Sequence, residues 1–171
     1  IVKHIAGVAD MRMADQPGDI IVTHALGSCL GITIHDAAAC VGGMLHVMMP
    51  LSSTNPDKAK TNPYMFVDTG VPAFFREAYA LGAQKSRLVV TVAGGANVQN
   101  VGNDSFAIGK RNYTILKKIL WKNGVMIAAE DVGGSHARTM YLEIGSGRAW
   151  LNTAGQATEL QDAHKPSRIA V

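Results

Sequence analysis

Cys29-Leu-Gly-Ile-Thr-Ile-His-Asp36-Ala-Ala-Ala-Cys40-Val-Gly-Gly-Met-Leu-His-Val-Met-Met-Pro50 is the stretch whose reading decides the fold. Residues 29–35 and 40–48 both read as strands, rich in β-branched and apolar residues. Asp36–Ala39 has the length of a hairpin loop. A hairpin centred between Ala37 and Ala38 pairs residues whose numbers sum to 75 and sets Cys29 directly opposite His46. Directly opposed side chains have Cβ atoms about 4.5–5.5 Å apart. In this register Leu30, Ile32 and Ile34 face one way with Val41, Gly43 and Leu45. Cys29, Gly31 and Thr33 face the other way with Gly42, Met44 and His46. A slip of one residue would turn His46 onto the apolar face.

A thiol beside an imidazole is the arrangement a cysteine nucleophile needs, because the base takes the thiol proton. The small residues around Cys29 leave room above it for a substrate. Against this stands the ordinary role of a lone strand cysteine, which is to fill the core.

Outward from the hairpin, residues 1–8 and 18–24 read as strands joined by a turn at Gln16-Pro17-Gly18. Leu51–Pro63 is a polar loop that leaves the strand just after His46 and borders the expected site. Asp68–Leu81 reads as a helix: Val71, Phe74, Phe75 and Ala78 recur at helical spacing, Pro72 fits the first turn and Gly82 follows. Leu88–Val92 is an apolar strand leading into Ala93-Gly94-Gly95-Ala96. Ile108–Lys122 is a second amphipathic helix, stopped at Gly124. Val125–Glu130, Thr139–Ile144 and Ala149–Asn152 complete the strands. Gly94-Gly95 and Gly133-Gly134 lack the lysine and spacing of phosphate-binding loops and read as tight turns or close backbone approaches. Strands outnumber helices, so the pattern is α+β.

The 171 residues suit a single domain, 1–171, with a polar tail from about position 161 that is expected to fray. Hydrophobic residues make up 47% and charged residues 17%, a globular composition. No apolar run is long enough to span a membrane, and no secretory signal is read, so no membrane insertion is expected. The missing Met at position 1 suggests numbering that opens inside the natural chain. Two cysteines make no disulfide framework and are read as free thiols in a reducing cytoplasm. The net charge of +3 is dispersed, with small clusters at Lys110-Arg111 and Lys117-Lys118. That is a solvated face, suited to an acidic protein partner and not to nucleic acid. No Cys/His spacing matches a metal site, so neither metal nor cofactor is expected.

Several separated motifs resemble the CheD family, the bacterial chemotaxis receptor glutamine deamidases. They are Val22-Thr23, Leu26-Gly27-Ser28-Cys29, Gly42-Gly43-Met44-Leu45-His46 with Met49-Pro50, Ala93-Gly94-Gly95-Ala96, Ile108-Gly109-Lys110-Arg111-Asn112, and Ala129–Arg138 (Ala-Glu-Asp-Val-Gly-Gly-Ser-His-Ala-Arg). Together they span the chain from Ile1 to about Leu160. The resemblance implies two packed mixed β-sheets flanked by helices, a fold shared with the cytotoxic necrotizing factor toxins. It implies conversion of receptor glutamine to glutamate through a Cys29 thioester, with His46 as base and Thr23 orienting the imidazole. Gly27 and Ser28 would shape the oxyanion and substrate subsite, with the Cys29 N–H as donor. His4, His24, His35, His136 and His164 are the rival bases, and His24 departs from the apolar residue usual in the family. The implied partners are the cytoplasmic helices of methyl-accepting receptors and a CheC-type phosphatase. Regulatory binding of that phosphatase, with little catalysis, is the alternative reading. Polar Gln99 stands where relatives often carry a bulky apolar residue, which weakens a CheC-type interface here.

Overall fold

A computed structural model describes residues 1–98 and 103–162. Its two five-stranded sheets are built from β1 (Lys3–Ile5), β2 (Asp10–Ala14), β3 (Ile20–Leu26), β4 (Leu30–Asp36), β5 (Val41–Val47), β6 (Val89–Gly94), β7 (Ile127–Val132), β8 (Arg138–Glu143), β9 (Ala149–Thr153) and β10 (Gln156–Gln161). The first sheet has the order β1-β3-β8-β9-β10 and the second β2-β5-β4-β6-β7. Each contains one parallel pair, β1 with β3 and β6 with β7, so both are mixed.

Every residue of β4 and β5 is buried. Their alternation therefore separates two interiors, not core from solvent. Leu30, Ile32, Ile34, Leu45 and Val47 pack against α2 (Val67–Ala80) and α3 (Asn103–Lys122), through Val71, Phe74, Phe75, Leu116 and Leu120. On the opposite face Met44 joins Ile21, Leu26, Ala93, Met140, Leu142 and Leu151 between the two sheets. The layers run sheet, sheet, helices. The outer face of the first sheet remains open and carries Tyr141 stacked on Trp150, ring centroids 5.0 Å apart.

The hairpin register differs from the expected one by two residues. Leu30 pairs with Val47, Gly31 with His46 and Asp36 with Val41, so pair numbers sum to 77. The cause is Asp36, which stays in the strand because its carboxylate is held there. It accepts the Gln84 N–H at 2.8 Å, both oxygens accept from Arg87 Nε at 3.0 Å, and Oδ1 accepts the Ala39 N–H at 3.1 Å. The turn moves one residue onward, to Ala37–Cys40, and closes with Cys40 at φ 52. A slip of two leaves the faces unchanged, so the face assignment holds and only the partner of His46 changes.

Other differences have local causes. The chain leaves the first sheet at Ala6, turns at Ala9 (φ 56) and forms β2 on the second sheet, antiparallel to β5, where a single strand 1–8 was expected. β10 was not expected because its mostly exposed residues carry no period-2 signal. Its two-residue turn, Ala154-Gly155, has φ 51 and 83, the left-handed pair that suits a tight hairpin. The Leu51–Pro63 stretch folds as a short 3-10 turn and α1 (Pro56–Thr61), with Asn55 accepting the Lys58 N–H. Pro72 sits in the second turn of α2, not the first, so the Asp68 carbonyl has no helical donor. No helix among the described residues is long and apolar enough to cross a membrane.

Burial alone would raise the Asp36 carboxyl, but Arg87 and the Gln84 and Ala39 N–H groups outweigh it and hold it at about 2. Its folded value lies below the ordinary carboxylate value of 3.8, so its contribution is present above pH 3.8 and lost as pH falls through about 2. Arg87 is partly exposed, which reduces the gain to about 1–2 kcal/mol. Asp36→Asn is expected to lower unfolding stability by that amount at pH 7 and by nothing near pH 2. Chemical denaturation at both pH values checks this, and an equal loss at both would contradict it.

Candidate active site

Thr23 on β3 and His46 on β5 come from different sheets and meet where the sheets pack. Both are fully buried. The Thr23 hydroxyl donates to the Ala6 carbonyl at 2.7 Å, and His46 Nδ1 lies 2.7 Å from the same oxygen. A hydroxyl has one proton. That proton is committed to Ala6, so Nδ1 must carry the hydrogen between the ring and Thr23. The imidazole is thereby fixed with its lone pair on Nε2. Among the described residues Nε2 has no hydrogen-bond partner, although it is buried. Desolvation lowers the His46 pKa to about 4, so the ring is neutral at ordinary pH.

Cys29 lies in the bend 27–29 between β3 and β4. With Gly31 opposite His46, Cys29 stands one diagonal step from the imidazole on the same face, not directly opposite as expected. Diagonal neighbours are about 7–8 Å apart, within reach of long side chains. No hydrogen bond joins the two side chains in this structure. The thiol is half-buried, and burial pushes its pKa up, with its own backbone N–H opposing. The resting pair is therefore a neutral thiol near a neutral imidazole, where a thiol acidified by His46 was expected. Catalytic hydrogen bonds are often long before substrate binds, so this geometry is compatible with proton transfer on attack.

The bend is held from three directions. Gly95 N–H donates to the Cys29 carbonyl and Ala96 N–H to the Gly27 carbonyl, each at 2.8 Å. A Cβ on Gly94 would lie 2.2 Å from the Cys29 oxygen, and Gly94 has φ 112, so only glycine fits. Arg138 donates to Gly94 O at 3.1 Å and Gly133 O at 2.6 Å, supporting that turn from behind. From α3, Asn112 Nδ2 donates to Ser28 O at 3.2 Å and Met48 O at 3.0 Å. Gly94-Gly95 is a close backbone approach, whereas Gly133-Gly134 is a turn with φ 91 and 74 and open space at Gly133, so each pair takes one of the two expected roles. The Ser28 N–H donates to no described backbone carbonyl, and the Cys29 N–H turns towards its own sulfur.

The rival histidines are placed elsewhere. His24 points to solvent at a bulge where Ala25 has φ 58. His35 donates Nε2–H to Ile144 O at 2.6 Å. His4 pairs with Asp19 at 2.8 Å, and His136 is exposed. His164, Gln99 and the tail beyond Asp162 lie outside the described residues. Cys40 sits at the far end of the hairpin. Among the described residues no His, Cys, Asp and Glu side chains cluster as a metal site. Asn112 and Arg138 were legible as motif residues, but nothing in their spacing gave them a task.

A family model described as CheD chemotactic sensory transduction matches residues 48–153. A probable chemoreceptor glutamine deamidase CheD of Solibacter usitatus is 49% identical over 156 residues, 91% of this chain and 92% of its own length. The probable chemoreceptor glutamine deamidase CheD 1 of Syntrophus aciditrophicus is 46% identical over 151 residues, 88% of this chain and 94% of its own. A probable chemoreceptor glutamine deamidase CheD of Thermococcus kodakarensis is 39% identical over 143 residues, 83% and 87% of the two chains. The chain belongs to the CheD family. The motifs that carried the resemblance converge on the bend that presents Cys29.

The depressed His46 pKa couples to stability. Unfolded, the ring binds a proton below its ordinary value of 6.5; folded, it does so only below about 4. Stability is therefore complete above pH 6.5 and falls by about 3 kcal/mol as pH drops to 4. Urea unfolding at pH 7 and pH 4.5 should show this loss, and His46→Gln should remove most of it. An unchanged pH dependence in the variant would contradict the assignment.

Proposed function

We propose that this chain is a protein-glutamine deamidase acting on methyl-accepting chemotaxis receptors, with Cys29 as nucleophile, His46 as general base and acid, and Thr23 as the group that orients His46. The observation that carries this reading is the buried, unpartnered Nε2 of a histidine whose tautomer is fixed through Nδ1. A pure binding module has no use for a dry base held in one tautomer. The names of the relatives supply the substrate class, and the cytoplasmic helices of such receptors imply a cytoplasmic protein.

The steps follow from the site. The Cys29 proton passes to His46 Nε2 as sulfur attacks the side-chain carboxamide carbon. The carbonyl becomes an oxyanion, which accepts from the Ser28 and Cys29 N–H groups at the Gly27–Cys29 bend. The C–N bond breaks as Nε2–H protonates the departing nitrogen, which leaves as ammonia. The product is a Cys29 thioester. Water attacks the thioester, its proton goes to Nε2, and sulfur departs and is reprotonated, which leaves glutamate. A neutral resting pair means that charge separates only during attack, when the bend stabilises the oxyanion. Throughout, the Thr23 oxygen accepts the Nδ1 hydrogen and the Ala6 carbonyl keeps the hydroxyl turned that way.

Ammonia release from a purified receptor cytoplasmic fragment, with peptide mass spectrometry of the Gln-to-Glu change, is the test. Cys29→Ala should abolish it and Cys40→Ala should leave it within about twofold. Equal loss in both would remove the basis for Cys29 as nucleophile. Thr23→Val removes the acceptor for Nδ1 and should reduce kcat by about 10²-fold or more, whereas Thr23→Ser should retain most of it. A fully active Thr23→Val protein would show that no orienting hydroxyl is needed. Free glutamine should be a far poorer substrate than the fragment, because remote contacts on a protein substrate position the amide.

A further inference from the structure

The strand ladder that unites the Cys29 and His46 segments ends one residue short of the thiol. Its last pair is Leu30 with Val47. Beyond it the two segments part. Residues 27–29 bond to the Gly94–Ala96 turn, and the Met48 and Met49 N–H groups both turn away to the Met65 carbonyl. Among the described residues no backbone hydrogen bond joins 27–29 to 48–50. A single side chain spans the gap. Asn112 is fully buried, and its Nδ2 donates to the carbonyl of Ser28, the residue before Cys29, and to that of Met48, two residues after His46.

Both partners are acceptors, so the amide can face them only through nitrogen. Its Oδ1 is buried with no donor among the described residues, and so the contribution of the side chain lies in Nδ2. One turn earlier on α3, a Cβ on Gly109 would come within 2.7 Å of Gly95 O. Close contact there brings the helix near enough for Asn112 to reach both carbonyls.

We propose that Asn112 is a positioning residue of the deamidase, a side-chain tie that sets Cys29 against His46 where the backbone ladder no longer does. This rests on the reading of Cys29 and His46 as nucleophile and base. A bend set even 1 Å away can cost about 10²-fold in rate, and nothing else described joins these two segments at this point. Asn112→Ala removes both donors. Asn112→Asp keeps the shape but presents oxygens to two carbonyls, so its effect should be larger.

The test joins turnover of the receptor fragment to iodoacetamide alkylation of Cys29, in a Cys40→Ala background. Asn112→Ala should lower kcat at least about tenfold with KM within about twofold, a loss confined to the reacting geometry. His46→Ala should slow alkylation in the parent, because Nε2 takes the thiol proton as sulfur attacks, and have little further effect once Asn112 is alanine, since the tie that couples them is gone. Unchanged kcat in folded Asn112→Ala, or an equal His46→Ala effect in both backgrounds, would overturn the proposal. If Asn112→Ala does not fold, Asn112→Gln, which moves the same donors by one methylene, is read in the same way. Failure of the underlying reading looks different: deamidation would survive Cys29→Ala, or His46→Ala would leave alkylation unchanged in the parent.

Discussion

The proton of the Thr23 hydroxyl decides what His46 can do. It is given to the Ala6 carbonyl, which leaves the oxygen only as an acceptor towards the imidazole. Which ring nitrogen keeps its lone pair depends on that direction. Were the hydroxyl to donate to Nδ1, the ring would carry its hydrogen on Nε2 and could not accept a proton there. The Ala6 carbonyl is available because β1 ends at Ile5 and the chain crosses towards the second sheet at Ala9. The break in what looked like one strand, 1–8, therefore supplies the acceptor that fixes the tautomer of His46.

The sheet-on-sheet layer provides the second condition, which is dryness. Thr23 and His46 project into an interface filled by Leu26, Met44, Met140 and neighbours. Desolvation there keeps the imidazole neutral and also raises the Cys29 thiol. The resting pair at this site is thus a neutral thiol near a neutral imidazole. Around it, Gly95, Ala96 and Asn112 hold the bend by hydrogen bonds to its carbonyls, and Arg138 holds the carbonyls of the adjoining turns.

Much of this was legible in the sequence, and the failures have physical causes. The faces of β4 and β5 followed from alternation, and α2 and α3 from helical spacing. The register did not, because it depended on Asp36 being held by Arg87, a partner 51 residues away. The error of two preserved faces and moved Cys29 from opposite His46 to diagonal. β10 lacked any apolar period, and β2 lay beyond a left-handed turn at a residue, Ala9, whose type gives no warning. Thr23 was singled out by family resemblance alone, since a buried strand threonine usually just packs. The tasks of Asn112 and Arg138 were invisible because both act on backbone carbonyls, which no side-chain pattern records.

The ¹⁵N chemical shifts of the two His46 ring nitrogens at pH 7 test the central claim most directly. The account predicts a protonated, pyrrole-type Nδ1 and a bare, pyridine-type Nε2. A proton found on Nε2 would contradict it.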